Sequence, residues 1–407
     1  AVRRRKTNKK DKEMPYKVIQ TARVPIKTWA REIDDVTIDQ AVDLACLPFA
    51  HKWVALMPDA HAGYGMPIGG VLAAKDAVIP NAVGVDIGCG VLAVQLSDAM
   101  PQDVNRESLE KIRDKIIQAV PTGFAHHKAD QVWGGFFVDS IPKVGVILRE
   151  RDSARKQLGT LGGGNHFIEL QKGDDGHLWI MIHSGSRNLG LKVAKEFNTL
   201  AQMLCKMWHT ELPSADLAFL PLGTQECRDY LAAMRYCIDF ACASRLQMME
   251  EVLNIIFDVI KRGTKGNMVH VSHNYADMEH HYGANLMVHR KGAVRARDGE
   301  LVAIPGSMGS CSYIARGLGS PHSFTSCSHG AGRRMGRKQA VASLDLGEEQ
   351  ARLANVVNGL LSVSDLDEAP GAYKDIDAVM ADQCDLVEII TKLTPLMSIK
   401  GGADNPE

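Results

Sequence analysis

The stretch Gly84-Val85-Asp86-Ile87-Gly88-Cys89-Gly90-Val91-Leu92-Ala93-Val94-Gln95-Leu96 decides which kind of fold this chain can have. Its Gly88-x-Gly90-x-x-Ala93 spacing matches a dinucleotide-binding fingerprint, but that motif has to open a helix. Residues 91–96 form a short apolar run that reads as a strand, so a doubly wound nucleotide fold fails on context. The same loop sets a carboxylate, Asp86, three residues before a thiol, Cys89, in backbone that glycines allow to wrap tightly. Both could face one cation. The competing reading is a glycine-rich strand turn holding a buried, inert cysteine.

Outward from this loop, residues 52–94 are glycine-rich and strand-like, with apolar runs at 53–57 and 91–94. Leu109, Ile112, Ile116 and Val120 then follow helical spacing up to Pro121, whereas residues 122–157 read as irregular. Short apolar segments at 166–170 and 178–182 predict buried strands. Val193, Phe197, Leu200, Leu204 and Met207 predict a helix, and residues 229–261 a long one, in which Met248 and Met249 are core filler. Strand signals return at 268–272, 286–289 and 301–304. Helices are expected at about 346–361 and 376–393, with a strand-like end at 396–400. No repeat and no Pro/Ser-rich linker divides the chain, so the expectation is α+β, a single large intertwined domain of mixed short strands with helices. Its boundaries fall at 14–401, between a basic disordered tail at 1–13 and a C-terminal extension at 402–407.

The 407 residues, 45% hydrophobic and 23% charged, suit a globular chain and exclude disorder or a coiled coil as whole-chain descriptions. With 47 Lys and Arg against 48 Asp and Glu, the net charge of -1 predicts no general attraction for polyanions. No window resembles a membrane span or a secretory signal, which makes the cytoplasm the expected compartment. Nine cysteines without a CxxC pair fit reduced thiols better than a disulfide framework.

Four of the 15 histidines sit beside glycine or small polar residues, in Gly164-Asn165-His166, His183-Ser184-Gly185-Ser186-Arg187, His273-Asn274 and Ser328-His329-Gly330-Ala331-Gly332. One such histidine is more often structural than a ligand; together with Asp86 and Cys89, three imidazoles could hold two divalent ions if the thiolate bridged them. Mixed O, N and S donors suit manganese, zinc, cobalt or iron better than magnesium or calcium. Glycine clusters at 162–164, 305–309 and 329–332 could aim N–H groups at a phosphate, or could simply be tight turns. There is neither a P-loop nor the KxDG motif of lysine-adenylating ligases. Basic residues cluster at Arg333, Arg334, Arg337 and Lys338, and at Arg290, Lys291, Arg295 and Arg297; such runs are usually solvated faces.

In order, Pro58-Asp59-Ala60-His61, the Gly84 to Gly90 loop, Leu161-Gly162-Gly163-Gly164-Asn165-His166-Phe167-Ile168-Glu169, the His183 to Arg187 motif, His273-Asn274, Arg290-Lys291-Gly292-Ala293, Ile304-Pro305-Gly306-Ser307-Met308, the Ser328 to Gly332 motif, Ala372-Tyr373-Lys374-Asp375 and Lys400-Gly401 strongly resemble the RtcB family of RNA-splicing ligases. The similarity runs from about residue 50 to 401. It implies an enzyme that joins an RNA 3′-phosphate or 2′,3′-cyclic phosphate to a 5′-hydroxyl, using GTP and two manganese ions through a histidine–GMP intermediate. By that resemblance Asp86, Cys89, His166, His183 and His273 are metal ligands, with Cys89 bridging, and His329 is the nucleophile. Nucleotide contacts fall on Asn165, His166, Phe167, Ile168, Glu169, His273, Asn274, Pro305, Gly306, Ser307, Met308, Ser312, His329, Gly330, Ala331, Gly332, Tyr373 and Lys400. Arg187, Arg333 and Arg334 are the candidates for RNA phosphates. The implied partners are RNA ends and no membrane, with an activating protein left open. The rival reading is a dinuclear metal phosphohydrolase acting on cyclic phosphate ends, which would need no nucleotide.

Overall fold

The apolar run after the glycine loop is a strand, Gly90–Leu96, inside a seven-stranded antiparallel sheet. The computed structural model describes residues 16–360 and 362–401, so the expected tail at 1–13 and extension at 402–407 lie outside the described residues. The sheet runs in the order Lys265–Ser272, Gly90–Leu96, Leu178–Ser184, Phe167–Gly173, Val387–Lys400, Ser312–Gly317, Leu301–Ile304. Successive side chains of a strand point to opposite faces. Leu92, Val94 and Leu96 pack on Ile112, Ile116, Met248, Met249 and Val252, from helices Arg106–Ala119 and Gln225–Ile260. Val91 and Ala93 pack on the other side with Phe167, Trp179, Met181, Val269 and Ile314. A strand covered on both faces has to be apolar throughout, which is why this run carries no polar alternation.

Gly90 sets how closely the next strand approaches. A Cβ there would lie 2.1 Å from the Val271 carbonyl oxygen, so the pairing of Gly90 with Ser272 requires a residue without a side chain. Past Ser272 the chain leaves this sheet at His273 and enters a second one through Asn274–His281. That six-stranded sheet is ordered Lys17–Ile19, Ile26–Thr28, Ala50–His61, Ile68–Ala74, Ala284–Lys291, Asn274–His281. The chain passes between the two sheets here, as it also does between Ile68–Ala74 and Gly90–Leu96 and between Ala284–Lys291 and Leu301–Ile304, which makes the α+β architecture intertwined.

The helices follow their local signals. Asn105 accepts from Ser108 N at 2.9 Å while Ser108 Oγ accepts from Asn105 N at 2.8 Å, a capping box that starts Arg106–Ala119. Thr224 caps the 36-residue Gln225–Ile260, which ends at left-handed Lys261. The structure corrects three expectations. Residues 122–157 are irregular only in part, because Gly145–Gln157 is a helix. The helix expected at 346–361 stops at Arg352, and Val357 instead bridges to Met397. Of the helix expected at 376–393 only Ile376–Asp382 forms; Val387–Lys400 is a 14-residue strand. The β-branched run Val387, Ile389, Ile390, Thr391 favours the extended chain, and Pro395 sits at the irregularity in its pairing with Phe167–Gly173. The amino-terminal segment, in which the sequence showed no motif, contributes helix Asp35–Ala45, capped by Asp34 and buried through Ala41, Leu44 and Ala45.

Arg290 does not belong to a solvated basic face. It is fully buried and donates to Glu279 Oε1 at 2.5 Å and Oε2 at 3.1 Å, and to Phe324 O at 3.0 Å. Burial alone would raise the Glu279 carboxyl, but the His281 hydrogen bond and the Arg290 guanidinium outweigh it and hold the group at about 2. A depressed carboxylate stabilises the fold above its ordinary range near 4.5 and loses that contribution as the pH falls towards about 2. Glu279→Gln strands the Arg290 charge in the interior and is expected to cost about 3–5 kcal/mol in urea unfolding at neutral pH. That cost should shrink as the pH is lowered through this window; a pH-independent difference would contradict the assignment.

Candidate functional site

The register of the large sheet gathers the chemistry at one end of it. Val91 pairs with His183, and His183 pairs with Phe167, so Cys89 and His166, just before those strands, lie on either side of the His183 ring. His273 arrives from the other flank, because its N–H donates to Cys89 O at 2.8 Å. Cys89 Sγ is 3.4 Å from His166 Nε2 and 3.2 Å from His183 Nε2; His183 Nε2 is 3.4 Å from His273 Nε2. Asp86 Oδ2 completes the set 3.1 Å from His166 Nε2. The five residues singled out from the sequence therefore converge, and Cys89, His166 and His183 form a group that could hold a metal ion.

The donors are in, or close to, the protonation states a cation needs. Burial and the neighbouring imidazoles push His183 and His273 well below the ordinary histidine range, which leaves their ring nitrogens neutral. Burial would raise Asp86, but the His166 hydrogen bond and charge and the Arg187 guanidinium outweigh it and keep the carboxylate ionised. Burial and the Asp86 charge push the Cys89 thiol up, an arrangement that a bound cation reverses by taking the thiolate directly. His273 Nδ1 is buried without a hydrogen-bond partner. The donor set and this orphaned nitrogen fit a divalent, borderline-soft metal ion.

His329 stands beside this group, its ring centroid 4.8 Å from that of His273. It follows the short strand Ser326–Ser328, which pairs with Ala293–Arg295 just beyond the second sheet. Sequence reasoning quoted Asp59 in a motif but gave it no role. The structure does: Asp59, fully buried, accepts from His329 Nδ1 at 2.7 Å and from His329 N at 3.1 Å. Burial would raise the Asp59 carboxyl, but the His329 charge and hydrogen bond outweigh it. In the neutral ring an ionised acceptor on Nδ1 selects the tautomer protonated there, in which Nε2 carries the lone pair. Lys374 Nζ holds this segment by donating to Ala60 O at 2.7 Å and Pro58 O at 3.3 Å. The only earlier signals for Asp59 and Lys374 were the motifs that contained them.

A cleft of about 840 Å³ opens over the cluster. Asp86, Cys89, Asn165, Phe167, His183, His273, Asn274, Pro305, Gly306, Tyr373 and Lys400 line it, together with residues 329–334. Asn274 bridges the loop, donating to Asp86 O at 3.0 Å and accepting from Gly292 N at 2.8 Å. Arg187 Nη1 lies 3.1 Å from His166 Nδ1. Lys400 Nζ lies over the Phe167 ring, 5.1 Å from its centroid. Glu169 is buried behind that ring and accepts from Gln171 at 2.7 Å and Ser398 at 2.9 Å; burial raises its carboxyl. Ser312 Oγ accepts from Gly306 N at 3.1 Å, and Ser307 bonds to Ser310, so both brace the 305–308 turn. Ile168 and Met308 turn their side chains into apolar clusters, which leaves only their backbone for a ligand. Arg333 is paired with Glu368, and Arg334 donates to Gly371 O. Lys291, read from sequence as part of a charge run, instead lines the cleft; burial lowers it to about 7, and it donates to Tyr64 O and Asn81 O.

Comparison with known proteins gives this geometry a family. Residues 40–134 and 139–401 match the family described as tRNA-splicing ligase RtcB. The RNA-splicing ligase RtcB of Escherichia coli K12 is 38% identical over 95% of this chain and 100% of its own length. The tRNA-splicing ligase RtcB of Pyrobaculum aerophilum is 31% identical over 96% of this chain and 97% of its own, and that of Thermococcus kodakarensis 30% over 90% and 91%. Among the described residues no helix is long and apolar enough to cross a membrane. The clustered imidazoles, thiol and carboxylate beside an aspartate-held histidine sit within the matched segments, and the chain belongs to the RtcB family of RNA-splicing ligases.

Proposed function

We infer that this protein joins RNA 3′-phosphate or 2′,3′-cyclic phosphate ends to 5′-hydroxyl ends, with GTP as co-substrate and His329 as the residue that carries GMP. The observation that supports this reading is the Asp59–His329–His273 arrangement, a histidine held by a carboxylate at the edge of a cluster in which Cys89, His166 and His183 could hold a metal ion. Asp86, Cys89, His166, His183 and His273 would hold two manganese ions, Cys89 as its thiolate. When bound, these ions would offset the charge that builds up on phosphate oxygens. His329 Nε2 attacks the α-phosphorus of GTP; the bond to the β-phosphate oxygen breaks and pyrophosphate leaves. An oxygen of the RNA 3′-phosphate then attacks the same phosphorus, the P–N bond breaks, and an RNA-3′-pp-5′-G end forms. Finally the 5′-hydroxyl oxygen attacks the RNA phosphorus and GMP departs. A cyclic phosphate is opened by water before the second step.

Glu169 supplies a reason to choose guanine. Its carboxylate can accept from the N1–H and exocyclic N–H of guanine, a pairing that adenine lacks. Asn165, Asn274 and Lys400 line the same cleft, with Tyr373 and the 305–308 and 329–332 turns around it, which suits a nucleotide laid across the cluster. We assign the phosphates of an RNA end to Arg333 and Arg334, which line the cleft, and to Arg187, which lies against His166. On this reading residues 14–401 are the ligase unit. Nine free cysteines favour a cytoplasmic setting.

Mass spectrometry after incubation with GTP and manganese should show one GMP adduct on the wild type and none on His329→Ala; an adduct on that variant would remove the nucleophile assignment. Asp59→Asn keeps the shape but loses the charged acceptor, and its rate of adduct formation should fall about 100-fold or more. Cys89→Ala should lose manganese as measured by metal analysis after dialysis, while its circular dichroism is unchanged. Retained metal would refute the Cys89 thiolate as a ligand. Cyclic ends opened without GTP and with no joining would favour the hydrolase instead.

A further inference from the structure

Among the described residues two arginines are fully buried, and they are buried in opposite ways. Arg290 has a carboxylate, Glu279, against its guanidinium. Arg245, on helix Gln225–Ile260, has none within ion-pair distance among the described residues, and every atom it donates to is neutral or a thiol sulfur. Its Nη1 donates to Gly88 O at 3.0 Å and Ser184 O at 2.7 Å, and its Nε to His270 Nε2 at 2.9 Å. Its Nη2 reaches Cys242 Sγ at 3.4 Å and Ser272 Oγ at 3.5 Å. Burial and the Arg245 charge hold His270 at about 3, so that ring is a neutral acceptor.

The partners of Arg245 are not scattered. Gly88 immediately precedes Cys89, Ser184 immediately follows His183, and Ser272 immediately precedes His273. One planar fork therefore grips the backbone beside two of the five clustered donors and the Ser272 hydroxyl beside a third, on three different strands or loops. Gly88 allows the approach: it has φ +74°, and a Cβ there would lie 2.8 Å from Ile238 Cα, so any side chain would push the helix that carries Arg245 away from the loop. A buried cation without a counter-charge is costly. The groups whose charge favours it are Cys242 and Cys89, once deprotonated, and Asp86.

We propose that Arg245 is the positioning residue of the metal cluster, setting the relative placement of Cys89, His183 and His273 from behind and balancing the charge of the carboxylate and thiolate. The proposal rests on the metal reading given above. It makes the long helix part of the site's machinery, although Arg245 touches neither nucleotide nor RNA. Groups that act behind metal ligands in this way usually change metal affinity about 10- to 100-fold when removed.

The test reads metal in the full-length protein, well below its unfolding temperature. Arg245→Met keeps bulk but removes charge and fork, and manganese binding by calorimetry should weaken by about 10- to 100-fold. In the cobalt-loaded protein, the thiolate-to-cobalt charge-transfer absorption should shift or lose intensity. Arg245→Lys keeps the charge without the fork and should give an intermediate loss with part of the absorption restored. A purely structural arginine would lower the unfolding temperature and leave affinity and spectrum at wild-type values, and that outcome overturns the proposal. If the methionine variant does not fold, the lysine variant decides alone: wild-type affinity with an unshifted cobalt spectrum refutes the positioning role. A wild-type protein that binds neither manganese nor cobalt would instead overturn the metal reading itself, so the two failures are distinguishable.

Discussion

The side-chain-free contact at Gly90 is the constraint on which the rest of the site depends. Strand Lys265–Ser272 closes on Gly90–Leu96 only because nothing projects from Gly90 towards Val271. That approach lets His273 N reach Cys89 O and lets Gly88 N reach Asn274 O at 2.9 Å, so the chain is pinned to the loop at the point where it crosses between sheets. Displacing the strand by the width of a methyl group would break both bonds and move His273 away from His183. Because His329 packs against His273, the same displacement would reach His329 as well. The donor cluster and the histidine beside it are thus two consequences of one backbone contact.

The cluster is built from strand ends rather than from strand middles, and this has a physical logic. Within the sheet the backbone groups are satisfied by the ladder and the side chains are committed to the two apolar clusters. At the ends, backbone carbonyls and side chains are released together. Gly88 O and Ser184 O are taken up by Arg245, and Asn165 O lies 3.2 Å from His183 Nδ1, so each ligand's main chain is anchored while its side chain faces the cleft. Anchoring of this kind removes conformational entropy before any ligand arrives.

How much of this the sequence displayed depends on whether the signal was local. The strand nature of residues 91–96, the capped helix before Pro121 and the long helix through Met248 are local patterns, and they read directly. The convergence of Asp86, Cys89, His166, His183 and His273 could be suspected only from repeated glycine-flanked histidines and from the family resemblance, because strand order decides which ends are neighbours. Val387–Lys400 shows the limit from the other side. Its apolar residues tolerate a helical spacing, and only its place between Phe167–Gly173 and Ser312–Gly317 makes it a strand. Asp59 was invisible as a functional group because it lies 270 positions from His329, the residue whose ring and backbone N–H it accepts from.

Near-neutral composition also acquires a meaning it lacked at the outset. Of the basic residues that looked like anion-binding runs, Arg290 is consumed by Glu279, Lys291 by backbone carbonyls and Arg333 by Glu368. Charges spent on internal partners add little to a long-range field, whereas attraction for extended RNA grows with the number of phosphates neutralised. The basic side chains that line the cleft, Arg334 and Lys400 among them, can meet only a few phosphates. On the ligase reading, affinity then concentrates at the terminus that also meets the metal cluster and the guanylyl group. An enzyme of RNA ends built this way gains selectivity from its neutrality, because intact RNA offers it backbone charge but no group that fits the cleft.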